Sequence, residues 1–440
     1  MRFKTLVAVG VASVLALAGC SGGTGGSSAD KSPAAQETKA MDGSQQQGSG
    51  SGGDVGVFTW WAEGSEKLGL EALTGEFAKQ FPNDKFVNLA VAGGAGSNAK
   101  AKLAADLENN NPPDSFQGHA GAELFDYIVA NQLEPVNDVI DELGGSKVFP
   151  ESLLGLLTVD GNIYSVPSNV HRSNVVWANP EVLAKAGLGK EAPASIDAWL
   201  ADMEKLKAAG VETPLSVGTA PWTQLHLFES ILLAEVGTDD YNKLFTDGDW
   251  KSDKVKSAIE KYAKLLSFAN SGGADDWPQA TDMVIDGKAA YNVMGDWAVA
   301  QFTQAGKADG TDYIYFPTPG TDGTFLFLAD SFTLPKGAKN PAGAKDWLRT
   351  VGSAKGQEAF NMAKGSIPAR TDVAPDNFPA YQQSAMKSFK NDKIASSIAH
   401  GAAAQMAWSA DISSAVSKFW TDKDTAAFHD ALVKAAESKR

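Results

Sequence analysis

Three clusters of tryptophan and polar side chains offer the most definite chemistry in this sequence. Trp60 and Trp61 precede Ala62 and Glu63, Trp222 lies within Pro221-Trp222-Thr223-Gln224, and Trp297 directly follows Asp296. None of these sits inside an apolar periodic run. A flat indole can cover the apolar C–H face of a pyranose while neighbouring acids, amides and histidines hydrogen-bond its ring of hydroxyls. Sugars need both at once, so these positions read as a carbohydrate-binding constellation. Trp177, Trp199, Trp347 and Trp420 are embedded in helix-like or strand-like apolar patterns instead, and read as core.

Other chemistries find less support. The histidines, His119, His171, His226, His400 and His429, are scattered, with no H-E-x-x-H and no local pair at ligand spacing, so no metal site is expected. The chain has no G-x-S-x-G elbow, and its single cysteine, Cys20, lies far from any core-like segment. Gly93-Gly94-Ala95-Gly96 lacks the G-x-G-x-x-G spacing, and no G-x-x-x-x-G-K-[ST] loop occurs, so no nucleotide or other cofactor is expected. Paired carboxylates could serve a glycosidase, and Asp and Glu are abundant; the sequence does not single out which two would approach.

The elements that position these residues alternate strand and helix. Residues 55–61 form a short apolar run bounded by glycines, the first expected strand; residues 66–81 have helical spacing, with Leu70, Leu73, Phe77 and Phe81 on one face. A second strand is expected over 86–91, and a second helix over 98–108, ending before Asn109-Asn110-Asn111-Pro112-Pro113. This βαβα opening favours a doubly wound α/β sheet, in which ligands bind beyond the carboxyl ends of the strands. That places Trp60, Trp61 and the segment Phe116-Gln117-Gly118-His119 at ligand positions. Neighbouring residues of a strand alternate faces, so Trp60 and Trp61 cannot both point inward unless the strand has ended.

The start of the chain concerns location. Arg2 and Lys4 precede an apolar run over residues 6–17, too short for a membrane span, and the run ends in Leu17-Ala18-Gly19-Cys20. This resembles a bacterial lipoprotein signal, which implies removal of residues 1–19 and lipid on Cys20. Residues 21–53 are almost entirely Ser, Gly, Ala, Gln and Asp and are expected to stay disordered, as a tether. The body that follows is long enough for two domains. The formal net charge is −15, and loss of Arg2 and Lys4 makes it more negative still, which argues against nucleic acid or an anionic membrane face as partner.

A family resemblance runs in order across the body: Phe58-Thr-Trp-Trp61, Pro112-Pro-Asp-Ser-Phe-Gln117 with His119-Ala-Gly121, Tyr164-Ser-Val-Pro167 with Asn169-Val-His-Arg172, Trp222-Thr-Gln-Leu-His226, Asn292-Val-Met-Gly-Asp-Trp-Ala298, Asp330-Ser331, Lys364-Gly-Ser-Ile-Pro-Ala-Arg370 and His400-Gly401. On these segments the body resembles the extracellular solute-binding proteins of bacterial ABC sugar importers, most closely the glucose/mannose-binding branch. The resemblance implies an α/β, two-lobed periplasmic-binding-protein-like fold with a hinge and an interlobe cleft. One lobe spans 54–165 plus 323–366, the other 166–322 plus 367–440. It further implies that Trp60 or Trp61 stacks on one sugar face, with Trp222 or Trp297 approaching from the other lobe. Glu66, His119, Asp330, Lys364 and His400 are implied partners of the hydroxyls, and Asp296 joins the ligand set beside Trp297. The implied partners are a glucose-like sugar, ABC permease subunits, and the membrane through lipid on Cys20; the protein is expected to be monomeric, on the extracytoplasmic face, and not an enzyme. A secreted, lipid-anchored glycoside hydrolase and a sugar-sensing lipoprotein are the alternatives.

Overall fold

The computed structural model describes residues 50–92 and 96–439. The expected leader, Cys20, the expected tether up to residue 49 and Gly93 to Ala95 lie outside the described residues. Of the segment expected as tether, residues 50–53 are described, and they are tied down. Ser51 donates its N–H to Asp346 and its hydroxyl to Asp84, Gly52 donates its N–H to Asp84 at 2.7 Å, and Gly53 already begins the first strand.

That strand, Gly53–Phe58, is shorter at its carboxyl end than the expected 55–61, and its partner Asp84–Asn88 starts earlier than the expected 86–91. The two pair in parallel, Gly53 with Asp84 through Val57 with Asn88, and Ser115–His119 pairs in parallel on the other side. The connecting helices are Gly64–Gln80, which buries Leu70, Leu73 and Phe77, and Ser97–Glu108. Two further strands complete the sheet from far along the chain. Asp330–Thr333 runs antiparallel to Ser115–His119, with Asp330 opposite His119, and Ser165–Pro167 lies antiparallel beyond it. The doubly wound opening therefore holds for three strands and becomes a mixed sheet of five.

A second sheet has the order Ile314–Pro317, Val175–Ala178, Ala289–Val293, Thr213–Ser216, with helices Ile196–Ala208, Pro221–Val236, Asp253–Leu266 and Met406–Asp422 packed about it. Apolar burial forms two clusters, and Val175, Trp177 and Ala289 of the second sheet join the first of them. One hydrophobic cluster gathers the first sheet and its helices around Phe77, Phe116, Phe332 and Trp347, and another gathers Trp199, Phe228, Tyr262, Tyr291 and Phe419. Trp177, Trp199 and Trp347 are fully buried, as their apolar setting predicts, whereas Trp420 is half-buried beneath Lys423.

Chain passes between the two cores more than once. His171–Arg172, Thr324–Leu328 and Lys393–Ser396 form a small sheet of their own, and Val170 exchanges both backbone hydrogen bonds with Ile367, at 2.8 and 3.0 Å. Among the described residues no helix is long and apolar enough to cross a membrane.

Candidate functional site

A cavity of about 360 Å³ is lined by His119 and Asp330 of the first sheet and by residues of helices and loops beyond it, among them Trp222 of helix Pro221–Val236 and Trp277. Because the first strand stops at Phe58, Trp60 and Trp61 escape the alternation of a strand. Gln117 turns the chain here: its amide oxygen accepts from the Thr59 hydroxyl and from Trp60 N–H, and the Thr59 hydroxyl oxygen accepts from Trp61 N–H. Both indoles line the cavity. Trp60 stands 5.0 Å from the His119 ring, and Trp61 is wedged against Phe360 and Phe332 at 4.6 and 5.4 Å. The buried Trp61 Nε1 has no hydrogen-bond partner among the described residues.

The opposite wall is built from Trp222, in the first turn of Pro221–Val236, and from Trp297 beyond the end of Ala289–Val293. Trp222 donates its Nε1–H to Asp276 at 2.8 Å, and Trp297 meets His171 and His400 edge-on at 5.1 and 5.2 Å. Lys364, the last residue of helix Ala354–Lys364, is almost wholly buried; its ammonium lies 5.9 Å from the Trp61 ring and 5.8 Å from the Trp297 ring, and donates to Glu66 Oε1 at 2.9 Å. One cation thus faces indoles from both walls.

Acids and imidazoles alternate along the floor. Asp330 accepts from Gln117 Nε2 at 2.9 Å and Asn169 Nδ2 at 3.0 Å, with His171 Nε2 at 3.4 Å and His119 Nε2 at 3.6 Å. Burial alone would raise its pKa, but the His171 hydrogen bond and the positive charges of His119, His171 and Lys364 outweigh it and hold the carboxyl well below the usual range. His119 Nδ1 in turn meets Glu123 Oε2 at 2.8 Å, where Lys100 also donates at 2.8 Å. Burial opposes ionisation of Glu123 as well, and Lys100 and His119 overcome it, lowering the pKa to about 2. For His171, desolvation favours the neutral ring, yet the charge of Asp296 prevails and raises the pKa. Burial, reinforced by the neighbouring His226, His119, His171 and Lys100, drives His400 well below the ordinary imidazole value, so it enters the cavity uncharged, able to donate from one nitrogen and accept at the other.

Nine of the ten expected ligand residues therefore line one cavity: Trp60, Trp61, Glu66, His119, Trp222, Trp297, Asp330, Lys364 and His400. Asp296 is not among the lining residues. It is fully buried behind them, accepting from Arg172 N–H at 2.9 Å and bound to His171 Nδ1, so it orients the ring that does reach the cavity. His171 itself, Asp276, Trp277, Gln279, Gln301 and Gln304 also line the cavity without having been singled out. Trp277 carries the same signal as the other cavity indoles, polar neighbours in Asp276-Trp277-Pro278-Gln279, a segment that folds as a capping box at the start of Trp277–Ile285.

Behind His400, the side chains of His226, Glu229 and His400 bring nitrogen and oxygen atoms within 4.8 Å of one another. The oxygens of Glu229 are already engaged by backbone and hydroxyl donors of Ser173, Ser397, Ile398 and Ala399, so the trio fits a hydrogen-bonded scaffold better than a metal centre.

Comparison with known proteins places this architecture. A family model described as bacterial extracellular solute-binding protein matches residues 61–358. The chain belongs to that family. This solute-binding protein is 36% identical over 425 residues to an uncharacterized ABC transporter extracellular-binding protein of Pyrococcus horikoshii, covering 95% of this chain and 92% of the relative. It is also 36% identical over 332 residues to a probable sugar-binding periplasmic protein of Mesorhizobium japonicum, covering 74% of this chain and 78% of the relative. Among solved structures, a chitin oligosaccharide binding protein superposes with a TM-score of 0.77 at 19% identity, over 88% of this chain and 99% of that one, a likeness of fold. The two-lobed solute-binding fold is thus the architecture of this chain.

Proposed function

We propose that this chain is the sugar-binding component of an ABC importer and that it takes a glucose-like monosaccharide between its lobes. The observation that carries the reading is the cavity itself. Indoles stand on opposite walls, Trp60 and Trp61 on one and Trp222 and Trp297 on the other, with charged and amide groups gathered between them. Glu66, His119, Asp330, Lys364 and His400 supply the hydrogen bonds to the hydroxyls. Stacking plus charge-assisted hydrogen bonds in a water-excluding cleft supports micromolar or tighter affinity, roughly −8 kcal/mol or better. The lobes, 54–165 plus 323–366 and 166–322 plus 367–440, close about passages such as Val170 with Ile367, and closure presents a changed surface to the permease.

Binding without chemistry suits the electrostatics. A glycosidase needs a carboxylic acid that holds its proton at working pH beside an ionised partner; Asp330 is kept ionised by its donors, and Glu229, whose pKa burial raises to about 7, does not line the cavity. Sugar binding also agrees with the name of the Mesorhizobium relative. The lipobox of Leu17 to Cys20 supports anchoring on the extracytoplasmic face, and a Cys20→Ser chain should leave the detergent phase on partitioning; retention there would remove the anchor from the reading. Titration calorimetry with monosaccharides, short oligosaccharides, peptides and polyols tests the ligand. One hexose is expected to bind at micromolar or lower Kd; binding of a peptide or polyol with no response to any sugar would sink the proposal.

A further inference from the structure

The helix Pro221–Val236 presents Trp222, His226 and Glu229 at spacings of four and three residues, along one face. Only Trp222 reaches the cavity; His226 and Glu229 are fully buried behind it. A buried carboxylate with no counter-cation is costly unless donors surround it. Here they do. Ile398 and Ala399 donate their N–H groups to Glu229 Oε2 at 2.8 and 3.1 Å, the Ser397 hydroxyl reaches both oxygens at 2.8 and 3.0 Å, and the Ser173 hydroxyl reaches Oε1 at 3.2 Å. The next residue of that turn is His400, whose Nε2 lies 3.1 Å from His226 Nδ1. The far side of the turn is held by the first lobe, since Gly401 O accepts from Glu123 N–H at 2.9 Å. Gly401 has φ +68°, and a Cβ there would meet Glu123 Oε2 at 2.5 Å.

We infer that Glu229 is the positioning residue of the binding site: it gathers the turn 397–399 and thereby fixes the direction in which the His400 ring enters the cavity, and with it the affinity for the sugar. The inference rests on the sugar-binding reading of the cavity. Its basis is that all three consecutive residues before His400 donate to one carboxylate on the helix that also carries Trp222. The titratable groups facing Glu229 are His226, 3.9 Å away on the same helix, and Tyr241, whose hydroxyl lies 3.5 Å away on the neighbouring helix Thr238–Leu244, with His400 beyond His226. Burial raises the Glu229 pKa to about 7 against those hydrogen bonds.

A double-mutant cycle on the full chain tests it, with Kd read by calorimetry for whichever of glucose, mannose and galactose binds most tightly. Glu229→Ala and His400→Ala should each weaken binding by about thirtyfold, and the double variant should be no weaker than His400→Ala alone. Glu229→Gln, which still offers an oxygen to Ile398 and Ala399, should remain within about threefold of the parent chain. If Glu229→Ala does not fold, Glu229→Asp, whose carboxylate is one methylene short of the turn, goes through the same cycle. Multiplying effects in the cycle, or an unchanged Kd on removing Glu229, overturns the inference while leaving sugar binding intact. A parent chain that binds none of the sugars overturns both.

Discussion

Glu123 shows how much of the site depends on single buried charges. Its carboxylate holds His119 Nδ1 and Lys100 at 2.8 Å each, so it fixes the ring on which Trp60 rests. The folded pKa is depressed from 4.5 to about 2, so the stabilisation is fully present above pH 4.5 and is lost as pH falls toward 2. A shift of that size corresponds to about 3 kcal/mol. Urea unfolding should therefore show the parent chain losing its advantage over Glu123→Gln between pH 5 and pH 2.5; parallel curves for the two chains would contradict the assignment. At this scale the paired indoles were legible from their own polar setting, whereas Asp330 and Lys364, which also line the cavity, were reached only through the family resemblance. Asp296 shows the limit. A carboxylate beside a cavity tryptophan reads as a ligand, and only the three-dimensional placement reveals that it faces backward onto His171 and Arg172 N–H.

Elements deliver these side chains by ending in the right place, and glycines at close approaches make that possible. Gly96 precedes helix Ser97–Glu108 with φ +92°, and a Cβ on it would stand 2.9 Å from the Trp60 indole. Gly96→Ala combines a strained backbone with displacement of that ring. It should weaken sugar binding about tenfold, with a loss of folding stability of about 1 kcal/mol; an unchanged calorimetric Kd would show that Trp60 does not stack on the ligand. Local periodicity located the helices near their observed spans, because burial of Leu70, Leu73 and Phe77 is written at helical spacing. Strand partners were less legible. Asp330 lies opposite His119 across more than two hundred residues of chain, and nothing in either segment alone specifies that antiparallel pairing. Yet it is this pairing that brings the floor of the cavity together.

At the scale of the whole molecule, apolar burial falls into two clusters, and the first of them takes in Trp222, Trp277 and Trp297 together with the first sheet, while Cys20, the expected site of lipid attachment, lies outside the described residues. The arrangement of walls has a consequence for motion. Trp60 and Trp61 belong to the first sheet's edge of the cavity, and Trp222 and Trp297 to the second, so a ligand stacked between them bridges both bodies of structure. Lys364 already sits midway, within 6 Å of one indole from each wall, and Gly365, at φ +91°, lets the chain beside it press against Val299 and Asp296 of the opposite side. Sugar should therefore add to contacts that draw the lobes together, shifting the population toward the closed form by its differential affinity for that form. Small-angle scattering should show a smaller radius of gyration with saturating sugar than without. Trp222→Ala removes contact on one wall only. It should weaken binding about tenfold or more, since stacking and apolar burial are both lost, and at a sugar concentration that saturates the parent chain it should show a smaller compaction. If the variant compacts as fully as the parent at equal occupancy, the second wall does not drive closure, and the approach of Lys364 to the Trp297 ring becomes the contact to remove next.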